Sequence, residues 1–165
     1  KEECIGDVVK TAEVFDVKAN RVRKLSKKEC KFDYRDSIFK RKKHLVILSC
    51  QIQLKKGDQR EIKRMVGKFI SDRRETQPLN LPSVGSVFKN PPKFFAGELI
   101  EKCGLKGKKA GKAQISQIHA NFIVNLGGAY AKDVKKLIDL IKRKVKKKFG
   151  VNLEEEIQYL GFFGD

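Results

Sequence analysis

All four prolines of the 165-residue chain, Pro78, Pro82, Pro91 and Pro92, fall inside one run, "QPLNLPSVGSVFKNPP", residues 77–92. Proline removes an amide donor and fixes φ, so neither a helix interior nor a central strand can pass through such a run. An extended connector is expected instead, beginning with "RRETQP" at Arg73. A domain boundary placed there divides 1–72 from 73–165. Within the run, "GSVFKNP" sets the hydroxyl of Ser86 behind a glycine and ahead of two apolar residues. A turn hydroxyl and a hydroxyl presented for chemistry are both consistent with that local pattern.

Either side of the prolines the periodicity is clear. "VVKTAEVFDV" (8–17) and "LVILSCQIQL" (45–54) are rich in β-branched residues and read as strands, the second with Val46, Leu48, Cys50, Ile52 and Leu54 on one face. "KANRVRKL" between them suits a turn and a short return strand, and Ser26 with Glu29 three residues on forms a helix-capping signature. Ile62, Met65, Val66, Phe69 and Ile70 recur at helical spacing within 58–71, and that helix is expected to end before Pro78. After the prolines, "FAGELIEKCG" puts Phe95, Leu99, Ile100 and Cys103 on one helical face and stops at Gly104. "LKGKKAGKAQIS" reads as a loop and "HANFIVNLGG" as a strand. A long helix with the stripe Val134, Leu137, Ile138, Ile141 and Val145 is closed by Gly150, and "VNLEEEIQYLG" reads as a final strand. Antiparallel-type strands with segregated helices make the fold class α+β.

Lys and Arg number 38 against 20 carboxylates, a net charge of +18, which raises nucleic acid, an anionic surface or a phosphorylated ligand as partners. Charge does not choose among them. The run "KRKVKKK" (142–148) lies on the long helix, where lysines form a solvated outer face and complement the C-terminal end of the helix dipole. Cys4, Cys30, Cys50 and Cys103 form no C-x-x-C pair, and only His44 and His119 could add imidazole, which argues against a zinc site and for reduced thiols. No apolar run reaches membrane-spanning length, and a cytoplasmic monomer is expected.

The chain carries no Walker loop, no G-x-G-x-x-G and no metal-spaced cluster. Three polar groups remain: Ser86, Lys106 after a helix terminus, and the carboxylates of "LEEEI". Each has an ordinary surface or turn explanation beside a chemical one, in which a fixed hydroxyl gives a proton and a carboxylate holds or relays one.

Taken in order, five segments resemble the UDP-N-acetylenolpyruvoylglucosamine reductase (MurB) family of peptidoglycan synthesis. "FDYRDSIFK" (32–40) resembles its Tyr-Arg-x-Ser motif, "GSVFKNPP" its proton-donor loop, and "AGELIEKCGLKG" (96–107) a helix with the lysine that follows. "HANFIVN" resembles its next strand and "KFGVNLEEEIQYLG" its closing motif. The helix follows "NPP" with no inserted segment, as in the shorter, type II form.

The resemblance implies a catalytic pair, Ser86 as proton donor and Glu156 as catalytic glutamate. It also implies substrate contacts from Asn90, Lys106 and Arg73, the last in competition with Arg74. His119 is read as structural. Glu155 stands where the family pattern has proline and Gln158 where it often has arginine, which puts the electrostatics around Glu156 in question. By the same resemblance FAD and NADPH are the cofactors and UDP-N-acetylglucosamine enolpyruvate the substrate. The architecture implied is the remainder of a FAD-binding (PCMH-like) segment, then a C-terminal substrate-binding domain with a small antiparallel sheet and packed helices. The main flavin-binding loops would precede Lys1, so the chain alone is expected to be inactive. A basic nucleic-acid-binding module and a noncatalytic remnant are the alternatives.

Overall fold

The structure is a computed structural model and describes residues 4–161. The chain divides into two compact units, 1–59 and 60–165.

In the first unit, α1 (Ile5–Val8) leads into β1 (Val9–Asp16), which turns through Asn20 in the left-handed region to β2 (Arg21–Ser26). Then come α2 (Lys27–Cys30), α3 (Ile38–Arg41) and β3 (Leu45–Ile52). β1 is central in an antiparallel sheet of order β2-β1-β3, with Ala12 opposite Leu25 and Cys50. The capping signature is realised: Ser26 Oγ accepts the Glu29 N–H and the Glu29 carboxylate accepts the Ser26 N–H, satisfying two amides at the start of α2. Ala12, Val14, Leu25, Cys30 and Leu45 form the core, with Phe32, Ile38 and Phe39 packed on it. The face of β3 bearing Val46, Leu48 and Ile52 is exposed. "YRDS" occupies a tight turn closed by reciprocal backbone bonds between Asp33 and Asp36, with Arg35 at φ 54.

In the second unit, α4 (Gln59–Thr76) carries Arg73 to Thr76 in its last turn, so the helix absorbs the start of the expected connector and yields only just before Pro78. Its apolar residues, Ile62 to Ile70, are all about half exposed. β4 (Ser83–Ser86), α5 (Ala96–Lys102), β5 (Lys109–Ala110), β6 (Ala113–Ile115), β7 (Phe122–Asn125) and α6 (Ala131–Phe149) follow. The strands form an antiparallel sheet of order β4-β7-β6-β5, and α6 packs on β5, β6 and α5.

Three local expectations change. The loop expected over 105–116 contains the β5–β6 hairpin, turned at Gly111 (φ 53). The "final strand" is an extended segment with one bridge, Phe88 to Glu155. Phe95, expected on the buried face of α5, is exposed, and Ala96 takes the buried place beside Leu99 and Ile100. The stripe of α6 is buried as its spacing requires at Leu137, Ile138, Ile141 and Val145, and Val134 packs against the same core. Gly150 closes the helix at φ 70, a conformation glycine adopts without steric cost.

Candidate functional site

Ser86 ends β4, opposite Phe122 of β7. Gly85 before it has φ 73, which bends the chain sharply and leaves Ser86 half-buried at the strand's end. The next three residues form a strip bonded on both edges. On one edge Val87 N–H donates to Asn121 O at 2.9 Å. On the other, Glu156 N–H donates to Val87 O at 2.8 Å and Lys89 N–H donates to Glu154 O at 2.9 Å. Lys89 and Glu154 also pair through their side chains. Ser86 and Glu156, far apart in the second unit's sequence, are thus brought to neighbouring backbone positions.

Further along the loop, Asn90 Oδ1 accepts the Ala96 N–H at 3.0 Å, tying the loop to the start of α5. Asn90 lines a cavity of about 310 Å³ with Phe95, Gly97, Glu98, Glu101, Ile118, His119 and Ala120. Lys106, beyond the left-handed turn at Gly104, reaches back to Glu101 at 2.8 Å and so compensates one of the two carboxylates, Glu98 and Glu101, on this cavity's wall. A second cavity of about 420 Å³, lined by Arg74, Gln77, Leu79, Asn80 and Ile118, shares Ile118 with the first. Its arginine is Arg74. Arg73 lies on the exposed last turn of α4, where its carbonyl accepts the Gln77 N–H.

His119 is the residue that sequence reasoning set aside. Its position is over-determined: the buried Ser116 hydroxyl accepts the backbone N–H groups of Ile118 and His119, and the ring stands edge-on to Phe122 at 5.0 Å. His119 Nδ1 accepts the Asn121 N–H at 3.2 Å, which assigns the proton of the neutral ring to Nε2. Burial and the Lys106 charge hold its pKa below the usual value, against the opposing pull of its own backbone hydrogen bond and Glu101. The spacing S-x-x-H was the signal available for this turn.

Glu155 faces α6. Lys142 Nζ lies 2.8 Å from its Oε1, and the Tyr159 hydroxyl donates to its Oε2 at 2.5 Å. Burial raises its carboxyl pKa, but the bonds from Lys142 and Tyr159 outweigh that and leave it below the usual value. The tyrosine's own burial, and after it the bond to Glu155, push Tyr159 well above the usual phenol range. The charge of Glu155 is therefore compensated locally. Among the described residues no group of three potential metal ligands is assembled, and no helix is long and apolar enough to cross a membrane.

Residues 77–160 match the family described as UDP-N-acetylenolpyruvoylglucosamine reductase, C-terminal domain. The chain is 52% identical over 136 residues to the UDP-N-acetylenolpyruvoylglucosamine reductase of Fervidobacterium nodosum, covering 82% of this chain and 44% of that protein. With the reductase of Caldicellulosiruptor bescii it shares 48% identity over 161 residues, 96% of this chain and 51% of the relative. The crystal structure of UDP-N-acetylenolpyruvylglucosamine reductase (MurB) from Thermus caldophilus superposes with a TM-score of 0.77 at 35% identity, over 93% of this chain and 53% of that one. The chain spans about half the length of these relatives. With more than half of it matched by the C-terminal-domain family, the chain belongs to the UDP-N-acetylenolpyruvoylglucosamine reductase (MurB) family.

Proposed function

We propose that this chain supplies the substrate-binding and proton-donating part of a reductase acting on UDP-N-acetylglucosamine enolpyruvate and forming UDP-N-acetylmuramate in peptidoglycan synthesis. Residues 1–72 belong to the flavin side in this reading and 73–165 to the substrate side. The protein is taken as cytoplasmic and monomeric. The observation that carries the reading is the two-edged strip at Val87–Lys89, which holds the backbones of Ser86 and Glu156 side by side.

The donors around the two cavities suit a nucleotide sugar. Arg74 offers positive charge to phosphate oxygens, and Lys106 does so by exchanging its Glu101 partner for the ligand, while Gln77, Asn80, Asn90 and the Nε2–H of His119 offer hydrogen bonds. Apolar side chains share these walls, Phe95, Ile118 and Ala120 in one cavity and Leu79 and Ile118 in the other, and none of these residues is assigned to the flavin. FAD, recharged by NADPH, supplies the hydride when bound.

The chain's own groups do the rest. A hydride delivered to one carbon of the enolpyruvyl double bond would leave negative charge across the neighbouring carbon and the carboxylate. Lys106 is assigned the role of stabilising that charge. Ser86 Oγ–H delivers the proton to the neighbouring carbon, and its strand-end position supplies the proximity that a hydroxyl of high intrinsic pKa needs. Glu156 takes up the complementary role of holding or relaying a proton next to that serine.

Stopped-flow measurement of the two half-reactions in the full-length, flavin-loaded protein tests this. Ser86→Ala is expected to slow flavin reoxidation by the enolpyruvyl substrate by about 10²–10⁴-fold, the usual worth of a positioned acid. Flavin reduction by NADPH should stay near the wild-type rate. Equal loss of both half-reactions would remove Ser86 from the proton step. The nucleic-acid reading is not favoured, because residues 77–160 match a reductase family and the lysines of 142–148 have an account as the solvated side of an amphipathic helix.

A further inference from the structure

We infer that Asn121 is a positioning residue whose side-chain amide replaces a missing stretch of strand and thereby sets the separation between Ser86 and Glu156. The inference rests on the function proposed above and adds a residue that the motif comparison left unassigned.

The argument begins where β7 stops accompanying β4. Ser86 is opposite Phe122, but before Phe122 the chain turns back on itself, Phe122 N–H donating to His119 O at 3.0 Å. Beyond Ser86, β7 can therefore offer no further run of backbone. Val87 still finds the Asn121 carbonyl; Phe88 would find nothing. Its amide and carbonyl are met instead by the Asn121 side chain: Phe88 N–H donates to Oδ1 at 3.0 Å, and Nδ2 donates to Phe88 O at 2.8 Å. A carboxamide is planar and carries one acceptor and one donor side by side, so it imitates the peptide group of a neighbouring strand. The orientation of the amide is fixed by chemistry, since exchanging its oxygen and nitrogen would set acceptor against acceptor and donor against donor. Asn121 is 5% exposed and Phe88 1%, so no water can take over either bond.

The opposite edge of the same strip carries the backbone of Glu154 to Glu156. Asn121 thus lies one residue from the serine along the strip and directly across it from the segment bearing the glutamate. Loss of either bond frees the strip to shift toward Glu155 or to rotate about Phe88, moving Ser86 and Glu156 relative to one another. Displacements of about 1 Å at a reacting centre cost about 10²-fold in rate. Asn90 is anchored to Ala96, and His119 to Ser116 and to the backbone N–H of Asn121, which a side-chain substitution leaves in place, so ligand binding should be spared.

The test compares full-length, flavin-loaded Asn121→Asp and Asn121→Leu with wild type. The aspartate keeps the shape and the acceptor but has no donor when ionised; the leucine removes both. Flavin reoxidation at saturating UDP-N-acetylglucosamine enolpyruvate should slow by at least about 10-fold in a folded variant. Substrate Kd should move by less than about 3-fold and flavin reduction by NADPH should not change, a split that general destabilisation would not produce. Reoxidation within about 3-fold of wild type, parallel loss of both half-reactions, or failure of both variants to fold overturns the inference. Ser86→Ala measured alongside separates the two levels. If it retains reoxidation, the proposed function falls and takes the role of Asn121 with it. If it loses reoxidation while both Asn121 variants keep it, only the positioning role falls.

Discussion

Gly97 on α5 has no side chain, and the space a Cβ would occupy is held by the imidazole of His119, whose Cε1 would lie 3.0 Å away. Two effects oppose one another in Gly97→Ala. Alanine is favoured over glycine in a helix by about 1 kcal/mol, whereas the new methyl forces the ring to yield by a few tenths of an ångström. The ring borders a cavity and can yield toward it only by lengthening its bond from the Asn121 N–H, so melting temperature should stay level while, on the function proposed above, KM for the UDP-sugar rises several-fold. A fall in melting temperature with KM unchanged would show that the ring is locked for structure alone. His119 also carries a pH signature. Its folded pKa lies below the ordinary value near 6.5, so the folded protein binds fewer protons than the unfolded chain once pH falls through that value. The stability difference is absent above it, grows as pH drops toward the folded pKa, and is constant below. Thermal unfolding of His119→Gln across pH 7.5 to 5 should lack that part of the decline. At this scale Ser86, Asn90 and Lys106 are singled out by their motif positions, and the roles proposed for them rest on that resemblance. The environments of His119 and Asn121 are not legible in the sequence, because a ring tautomer and a side chain standing in for a strand are set by groups distant in sequence.

Elements recognised from periodicity are those whose burial follows a helical or alternating repeat, α6 above all. Those missed are stabilised by a partner rather than by their own pattern. β5 and β6 have two and three residues, too short to show alternation, and exist as a ladder built outward from β7. The closing segment has the composition of a strand, yet it makes one bridge and is held by its two backbone bonds to Val87 and Lys89 and by Lys142 of α6. Here Glu155, standing where the family pattern has proline, substitutes an ionic lock for a conformational one. Proline restrains φ at no electrostatic cost; Glu155 restrains the segment through Lys142 and Tyr159. Lys142→Met should therefore loosen this segment specifically. A hydrogen bond to a charged group contributes about 1.5–3 kcal/mol, but Lys142 is 44% exposed, and solvent screening reduces the expected loss to about 1 kcal/mol. The sign with pH follows from the depressed Glu155 carboxyl: its contribution is complete above the usual carboxylate pKa and is lost as pH falls through the folded value. Denaturant midpoints of wild type and Lys142→Met should differ at neutral pH and converge in acid. A constant gap would mean that the lysine acts through its aliphatic stem alone.

Over the whole chain, each unit carries an apolar face that its own elements leave uncovered. In the first it is Val46, Leu48 and Ile52 of β3; in the second it is Ile62, Met65, Val66, Phe69 and Ile70 of α4. Single exposed apolar residues are ordinary, but several at a regular spacing on one face mark a surface built to be covered. The sequence displayed both faces as periodicity, and periodicity says that a face is apolar without saying what lies on it. The family relatives are about twice as long as this chain, and the function proposed above assigns none of the cavity residues to the flavin. The expectation for the chain on its own is therefore twofold. It should bind an apolar-surface dye strongly, and after expression with excess FAD it should purify without stoichiometric flavin and show no NADPH turnover. Visible absorbance and flavin released on denaturation check the second point directly. A yellow, flavin-loaded preparation would overturn it and move the flavin site into the residues described here. If the protein is colourless but binds UDP-N-acetylglucosamine enolpyruvate, the substrate half of the site works independently of the redox half. Because the chain carries +18 and the ligand is a diphosphate, that binding should weaken as salt is raised, most of the change appearing in the association rate.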